Sequence, residues 1–176
     1  MENFCWEREG LDLISSHIET GKPLPDALFE SLKSSRGFQS AMMMVRQIEF
    51  ALMDFELHSF YSTEDKEDIL DLAKRIRDEV SVIRPPEYAR QLHSFSHIFA
   101  GGYAAGYFSY KWAEVLSADA FELFEETGIL NAETGAKFKN TILAAGGSVD
   151  PMVLFKSFRG REPKIEALLR HSGIAA

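Results

Sequence analysis

The sequence predicts an all-α fold, an irregular multi-helical domain of about seven to nine helices, on three observations. Sustained apolar/polar alternation is missing and no Asn-Gly or Asp-Gly pair separates β-branched runs, so strand and hairpin signals fail. Apolar residues recur instead at three- and four-residue intervals, the period of a helix with a buried face. Residues that start and stop helices punctuate the chain at ordinary connection lengths.

Taken in order, a helical pattern runs from Asn3 to Thr20 and stops at Gly21, and Pro25 suits the first turn of a short helix reaching Ser34. From Phe38 to Phe60, the residues Phe38, Ala41, Met42, Val45, Ile48, Leu52 and Phe55 keep helical spacing. Met43, Met44, Phe50, Ala51, Met53 and Leu57 make the other sides apolar, so this helix is expected to be buried nearly all round. Its Arg46, Glu49, Asp54 and Glu56 then need partners, because unpaired charge in a core is costly, and a polar site or neighbouring segment is expected to border it.

Ser62 and Asp65 have capping-box-like spacing before a helix whose apolar stripe is Ile69, Leu72, Ile76, Val80 and Ile83, ended by Pro85-Pro86. Asn131 caps a helix to Ala145, Asp150-Pro151 reads as N-cap and first helical position, and Pro163 begins the last helix before Gly173. Residues 1–176 are read as a single all-helical unit.

With 45% hydrophobic and 26% charged residues, the 176-residue chain can bury a core and is not expected to be disordered. Its apolar stretches fall far short of the roughly 20 residues a membrane span needs. Met1 to Trp6 lacks the layout of a signal peptide, and a cytoplasmic location is expected. Cys5, the only cysteine, excludes an internal disulfide or a thiolate cluster around a metal. A net charge of −8 without a Lys/Arg block speaks against nucleic acid or anionic membrane as partner.

The stretch that carries chemistry is His93-Ser94-Phe95-Ser96-His97-Ile98-Phe99-Ala100-Gly101-Gly102-Tyr103-Ala104-Ala105-Gly106-Tyr107-Phe108-Ser109-Tyr110-Lys111-Trp112. If the part after Gly102 is helical, Tyr103, Tyr107 and Tyr110 stand at i, i+4 and i+7 on one face. A phenol with its ordinary pKa near 10 stays protonated at neutral pH and can donate to an oxygen gaining negative charge. Gly101-Gly102 would let the loop move over a ligand. On spacing alone the favoured reading is an aromatic core stripe with the glycines making a tight helix entry, and the donor set is the second reading.

His93 and His97 are four apart, a spacing that can serve one metal, but Ser94 stands where a zinc protease needs its glutamate base. None of His17, His58, His93, His97 and His171 starts an H-E-x-x-H motif, so no metal ligand is assigned in this chain.

The run His97 to Trp112 resembles the glycine-rich active-site loop and following helix of the thimet oligopeptidase family of zinc metallopeptidases. The resemblance extends almost end to end. Met1 to Glu7 is similar to the family's segment just after its third zinc ligand, Phe38 to Ala41 and Arg46 to Leu52 to a following helix, and Phe158-Arg159-Gly160-Arg161-Glu162-Pro163 to its closing motif. The resemblance implies the C-terminal portion of a zincin-like catalytic domain, cut off after the H-E-x-x-H segment, from an enzyme that hydrolyses short peptides with Zn²⁺.

It also implies roles: Tyr110 and Tyr107 polarise the scissile carbonyl, His97 assists, and Tyr103 with Gly101 and Gly102 contacts substrate. Phe108 stands where relatives often have another tyrosine and leaves the donor set intact. The chain alone is expected to bind no zinc, to be inactive, and to self-associate through the surface that truncation exposes. The alternatives are a free-standing helical binding module without catalytic activity, and a small enzyme using the tyrosines and His97 without metal.

Overall fold

A computed structural model describes residues 2–62, 64 and 67–174. Among these residues there is no strand. The described residues form nine α-helices: α1 (Arg8–Ile14), α2 (Asp26–Ser35), α3 (Ser40–Ser59), α4 (Ile69–Val80), α5 (Ser96–Phe99), α6 (Ser109–Thr127), α7 (Ala132–Phe138), α8 (Pro151–Arg159) and α9 (Glu166–His171). Short 3₁₀ turns occupy Glu2–Trp6 and Gln91–Ser94, and a π turn Lys139–Leu143 widens the end of α7. The chain divides into two compact units, residues 39–113 and residues 1–38 with 114–176, the boundary falling inside α6.

In the first unit, α3 and α4 pack through Met53, Leu72, Ala73 and Ile76, with Leu92 closing the cluster and Leu57, Tyr61, Val80 and Phe95 against it. Burying a side chain such as Leu72 contributes about 1.5–3 kcal/mol. The amphipathic pattern is real for α4, but it ends at Val80. Ser81 turns into extended backbone and donates to Glu49 at 2.6 Å, which leaves Ile83 beyond the helix and 68% exposed. Asp68 caps α4 by accepting from the Leu70 N–H at 2.7 Å, and Asp65 of the expected Ser62–Asp65 pair lies outside the described residues.

The expectation that α3 is buried all round is corrected. One face, Glu49, Phe50, Met53 and Asp54, is buried, whereas Met43, Ile48, Leu52 and Phe55 are 46%, 42%, 38% and 43% exposed. The charges on that buried face are satisfied, as solvation demands. Glu49 accepts from Arg77 Nε at 2.9 Å, and Arg77 also reaches Gln91 at 2.8 Å, tying α4 and the 91–94 turn to α3. Glu56 pairs with Arg75 at the surface, and the Arg46 guanidinium lies 5.1 Å from the Phe50 ring centroid.

The second unit is built on phenylalanine. Phe121, Phe124 and Phe158 form its core with Phe4, Phe138 and Ile142 around them, and Phe4 meets both Phe121 and Phe124 edge-on. Residues Asp119, Glu122 and Glu126 share one face of α6 at i, i+3 and i+7, where three arginines meet them. Arg159 and Arg161 both bond Asp119, and this requires the chain to reverse between them, which Gly160 permits at φ 82°.

The remaining boundaries show where local chemistry overrides periodicity. The pattern from Asn3 to Thr20 is interrupted by extended Glu7 and Ser15. Ser15 Oγ donates to the Leu11 carbonyl, and His17 Nδ1 accepts from the Glu19 and Thr20 N–H groups, closing a turn that competes with further helix. Asn131 and Asp150-Pro151 cap as expected, through Thr134 N at 3.0 Å and Met152 N at 2.8 Å. The last helix starts at Glu166 rather than Pro163, and the Lys164 N–H ahead of it bonds Asp119 at 2.6 Å.

Candidate active site

Between α5 and α6, residues 100–108 form a chain of tight turns, not a helix. The Ala100 and Gly101 N–H groups both reach the Ser96 carbonyl at 2.8 Å, Tyr103 N–H bonds His97 O at 3.2 Å, and Gly106 N–H bonds Tyr103 O at 2.8 Å. This tightness explains the glycine pair. A Cβ on Gly101 would stand 2.7 Å from His97 Cα and 2.8 Å from its carbonyl oxygen, and Gly102 has φ 81°.

The expected one-face helical arrangement of the tyrosines is therefore corrected: Tyr103 and Tyr107 lie in turns, and only Tyr110 is in the first turn of α6. The rings nevertheless meet. Tyr103 stacks on Tyr110 with centroids 5.1 Å apart and 20° between planes, and Tyr107 meets Tyr110 edge-on at 5.1 Å. Tyr107 is wedged against Phe50 and Phe95 at 5.8 and 5.3 Å, and its hydroxyl donates to Gln47 Oε1 at 3.1 Å. Tyr110 is 38% exposed, and its hydroxyl shares a hydrogen bond with that of Tyr103.

Both placements favour the neutral phenol. Burial pushes the Tyr107 pKa upward against the opposing pull of the Arg46 cation. The hydrogen bond to Tyr103, with smaller contributions from burial and the neighbouring phenols, raises that of Tyr110. Each therefore keeps its proton through neutral pH and remains a hydrogen-bond donor.

The site also contains a residue whose role the sequence left open. Asp54 is 0% exposed, its Oδ1 accepting from the Ala105 N–H at 2.9 Å and its Oδ2 from the Tyr107 N–H at 2.8 Å. His58 Nδ1 lies 2.9 Å from Asp54 Oδ1 and 2.9 Å from the Asp54 carbonyl. The need of Asp54 for partners was legible in an apolar helix, but the identity of those partners was not.

His97 is exposed on α5, its ring 6.3 Å from Tyr103 and 6.0 Å from Phe95. His93 belongs to the separate 3₁₀ turn, so the two histidines do not share a helix face. Among the described residues no three His, Cys, Asp or Glu side chains converge as metal ligands.

The all-α scaffold thus delivers three phenols to one place through a glycine turn, with a buried carboxylate beneath it. The chain belongs to peptidase family M3, whose model matches residues 1–174. It is 56% identical over 174 residues to oligopeptidase A of Haemophilus influenzae, covering 99% of this chain and 26% of that protein. It is 52% identical to oligopeptidase A of Escherichia coli over the same coverage. To the organellar oligopeptidase A, chloroplastic/mitochondrial, of Arabidopsis thaliana it is 50% identical over 180 residues, which is 100% of this chain and 23% of that protein. The chain thus spans about a quarter of the length of the curated relatives it matches.

Proposed function

We propose that this chain forms the C-terminal part of a zinc-dependent oligopeptidase that hydrolyses short peptides, and that it supplies the donors which stabilise the oxyanion and the loop which contacts substrate. The convergence of Tyr103, Tyr107 and Tyr110 around the Gly101-Gly102 turn carries this reading. Tyr110 is the leading donor, since it is protonated and reachable from solvent. Tyr107 is the second donor, and its hydroxyl exchanges Gln47 for the substrate oxygen. His97 assists from the start of the turn, while Tyr103 and the exposed Gly101 and Gly102 contact the peptide.

In this reading the zinc ligands and the general base belong to an H-E-x-x-H helix and a later glutamate, and no H-E-x-x-H occurs in this chain. The work of this chain is electrostatic: neutral donors fixed before reaction act on charge as it develops and need no reorganisation. Among the described residues no helix is long and apolar enough to cross a membrane, and we place the enzyme in the cytoplasm.

Replacing Tyr110 by Phe in the full-length peptidase tests the assignment. A donor that bonds only the developing oxyanion acts on kcat rather than KM. Its loss costs about 10²–10³ in kcat, or roughly 2.7–4 kcal/mol. A variant with wild-type kcat and its zinc in place would make the phenol structural and end the proposal.

A further inference from the structure

Asp54 is buried on α3, yet its carboxylate is given to the active-site turn, not to the packing of its own helix. Both oxygens are occupied by backbone donors of one short stretch, and His58, a turn further along α3, contributes the third contact. The stretch it holds is one the chain would not adopt unaided. Ala105 has φ 54°, the left-handed conformation that a residue with a Cβ disfavours. Such a conformation persists only where surrounding contacts over-determine it.

The hold reaches the phenols through the main chain. Tyr107 N–H is bound by Asp54, Tyr107 O accepts from Tyr110 N–H at 3.2 Å, and Phe108 O accepts from both Lys111 and Trp112 N–H at 3.1 Å, which begins α6. Fixing residues 105–107 therefore fixes where the Tyr107 side chain leaves the backbone and where the first turn of α6, with Tyr110, starts. Displacing a reacting or stabilising group by about 1 Å can cost about a hundredfold in rate.

We propose that Asp54, oriented by His58, is a positioning residue of the active-site loop: its carboxylate sets the 105–107 turn and thereby the two phenolic donors. The inference rests on the peptidase reading given above. Asp54 touches neither substrate nor the reacting atoms; it acts through the amides of Ala105 and Tyr107. Asparagine at this position keeps the shape and one acceptor, but turns an NH₂ toward one of two N–H donors.

The test uses the full-length peptidase carrying Asp54→Asn, His58→Gln or Tyr110→Phe, with zinc content and melting temperature measured for each. Asp54→Asn is expected to lower kcat by about tenfold to a hundredfold. Hydrogen exchange should accelerate in the peptide spanning residues 103–110 and remain unchanged in α4. His58→Gln removes one contact and leaves both N–H bonds, so it shifts both readouts the same way by a smaller factor. If Tyr110→Phe lowers kcat while Asp54→Asn retains wild-type kcat and wild-type exchange over residues 103–110, the positioning role is overturned. If Asp54→Asn does not fold, His58→Gln decides, and wild-type kcat in that variant overturns the proposal. A neutral Tyr110→Phe would instead remove the assignment of the phenols as oxyanion donors, on which it rests.

Discussion

Replacing Asp119 by Ala should destabilise the chain by about 3 kcal/mol, the lower end of the range for breaking a buried ion pair. Asp119 is 0% exposed and accepts from Arg159 Nε at 3.0 Å, from Arg161 NH1 and NH2 at 2.6 Å each, and from the Lys164 N–H at 2.6 Å. Its removal strands an Arg159 side chain that is itself 6% exposed and leaves the Lys164 amide without its acceptor. The lower end applies because Arg159 keeps Glu122 and Glu126, and because Arg161 is 30% exposed and partly solvated. Against a total stability of about 5–15 kcal/mol such a loss is large.

The pH dependence follows from the same contacts. Burial opposes ionisation of Asp119, but hydrogen bonds from Arg161, the Lys164 amide and Arg159 outweigh it and hold the carboxyl below its ordinary value. The Arg170 hydrogen bond does the same for Glu122, against burial, with Arg159 assisting. With folded pKa values below unfolded ones, the unfolded chain binds more protons near pH 4, so stability rises with pH there. The contribution is fully present above the unfolded values and is lost as pH falls through the folded ones. Urea unfolding followed by circular dichroism at pH 7 and pH 4 measures both effects. An Asp119→Ala midpoint equivalent to less than about 0.5 kcal/mol of change, or an undiminished acid slope in Asp119→Asn, would refute the reasoning.

Gly101→Ala in the full-length enzyme should reduce kcat, since the new methyl would meet His97 backbone atoms at 2.7 and 2.8 Å, and overpacking of this kind costs about 1–3 kcal/mol. Steady-state kinetics checks it, with unchanged kcat and melting temperature as the contrary result. The isolated chain should hold no stoichiometric zinc after dialysis, cleave no quenched-fluorescence peptide, and self-associate in sedimentation through Met43, Ile48, Leu52 and Phe55 on α3. Chelator-sensitive turnover in pure material would contradict the first part, and a strict monomer at high concentration the last.

The caps at Asn131 and Asp150 were legible because a cap is a local contract between side chain and amides two or three residues on. The tyrosines were legible as a set, but for the wrong geometric reason. Their spacing suggested a helix face, whereas turns gather Tyr103 and Tyr107 onto Tyr110. The partners of Asp54 stand 51 and 53 residues away and are backbone amides, which carry no residue signature to read. The end of the Asn3 to Thr20 pattern was hidden for a related reason: Ser15 and His17 stop the helix through hydrogen bonds that apolar periodicity does not register.

Because Asp54 holds main-chain N–H groups, it is indifferent to which side chains the held residues carry. Position 105 can drift among residues that tolerate a left-handed backbone, glycine most readily, without the turn losing its address. Only proline is barred at 105 and 107 on this account, since it has no N–H to offer. In the proposed site the constraint on this stretch thus divides between two sources, the phenols for what the site would do and the carboxylate for where it would do it.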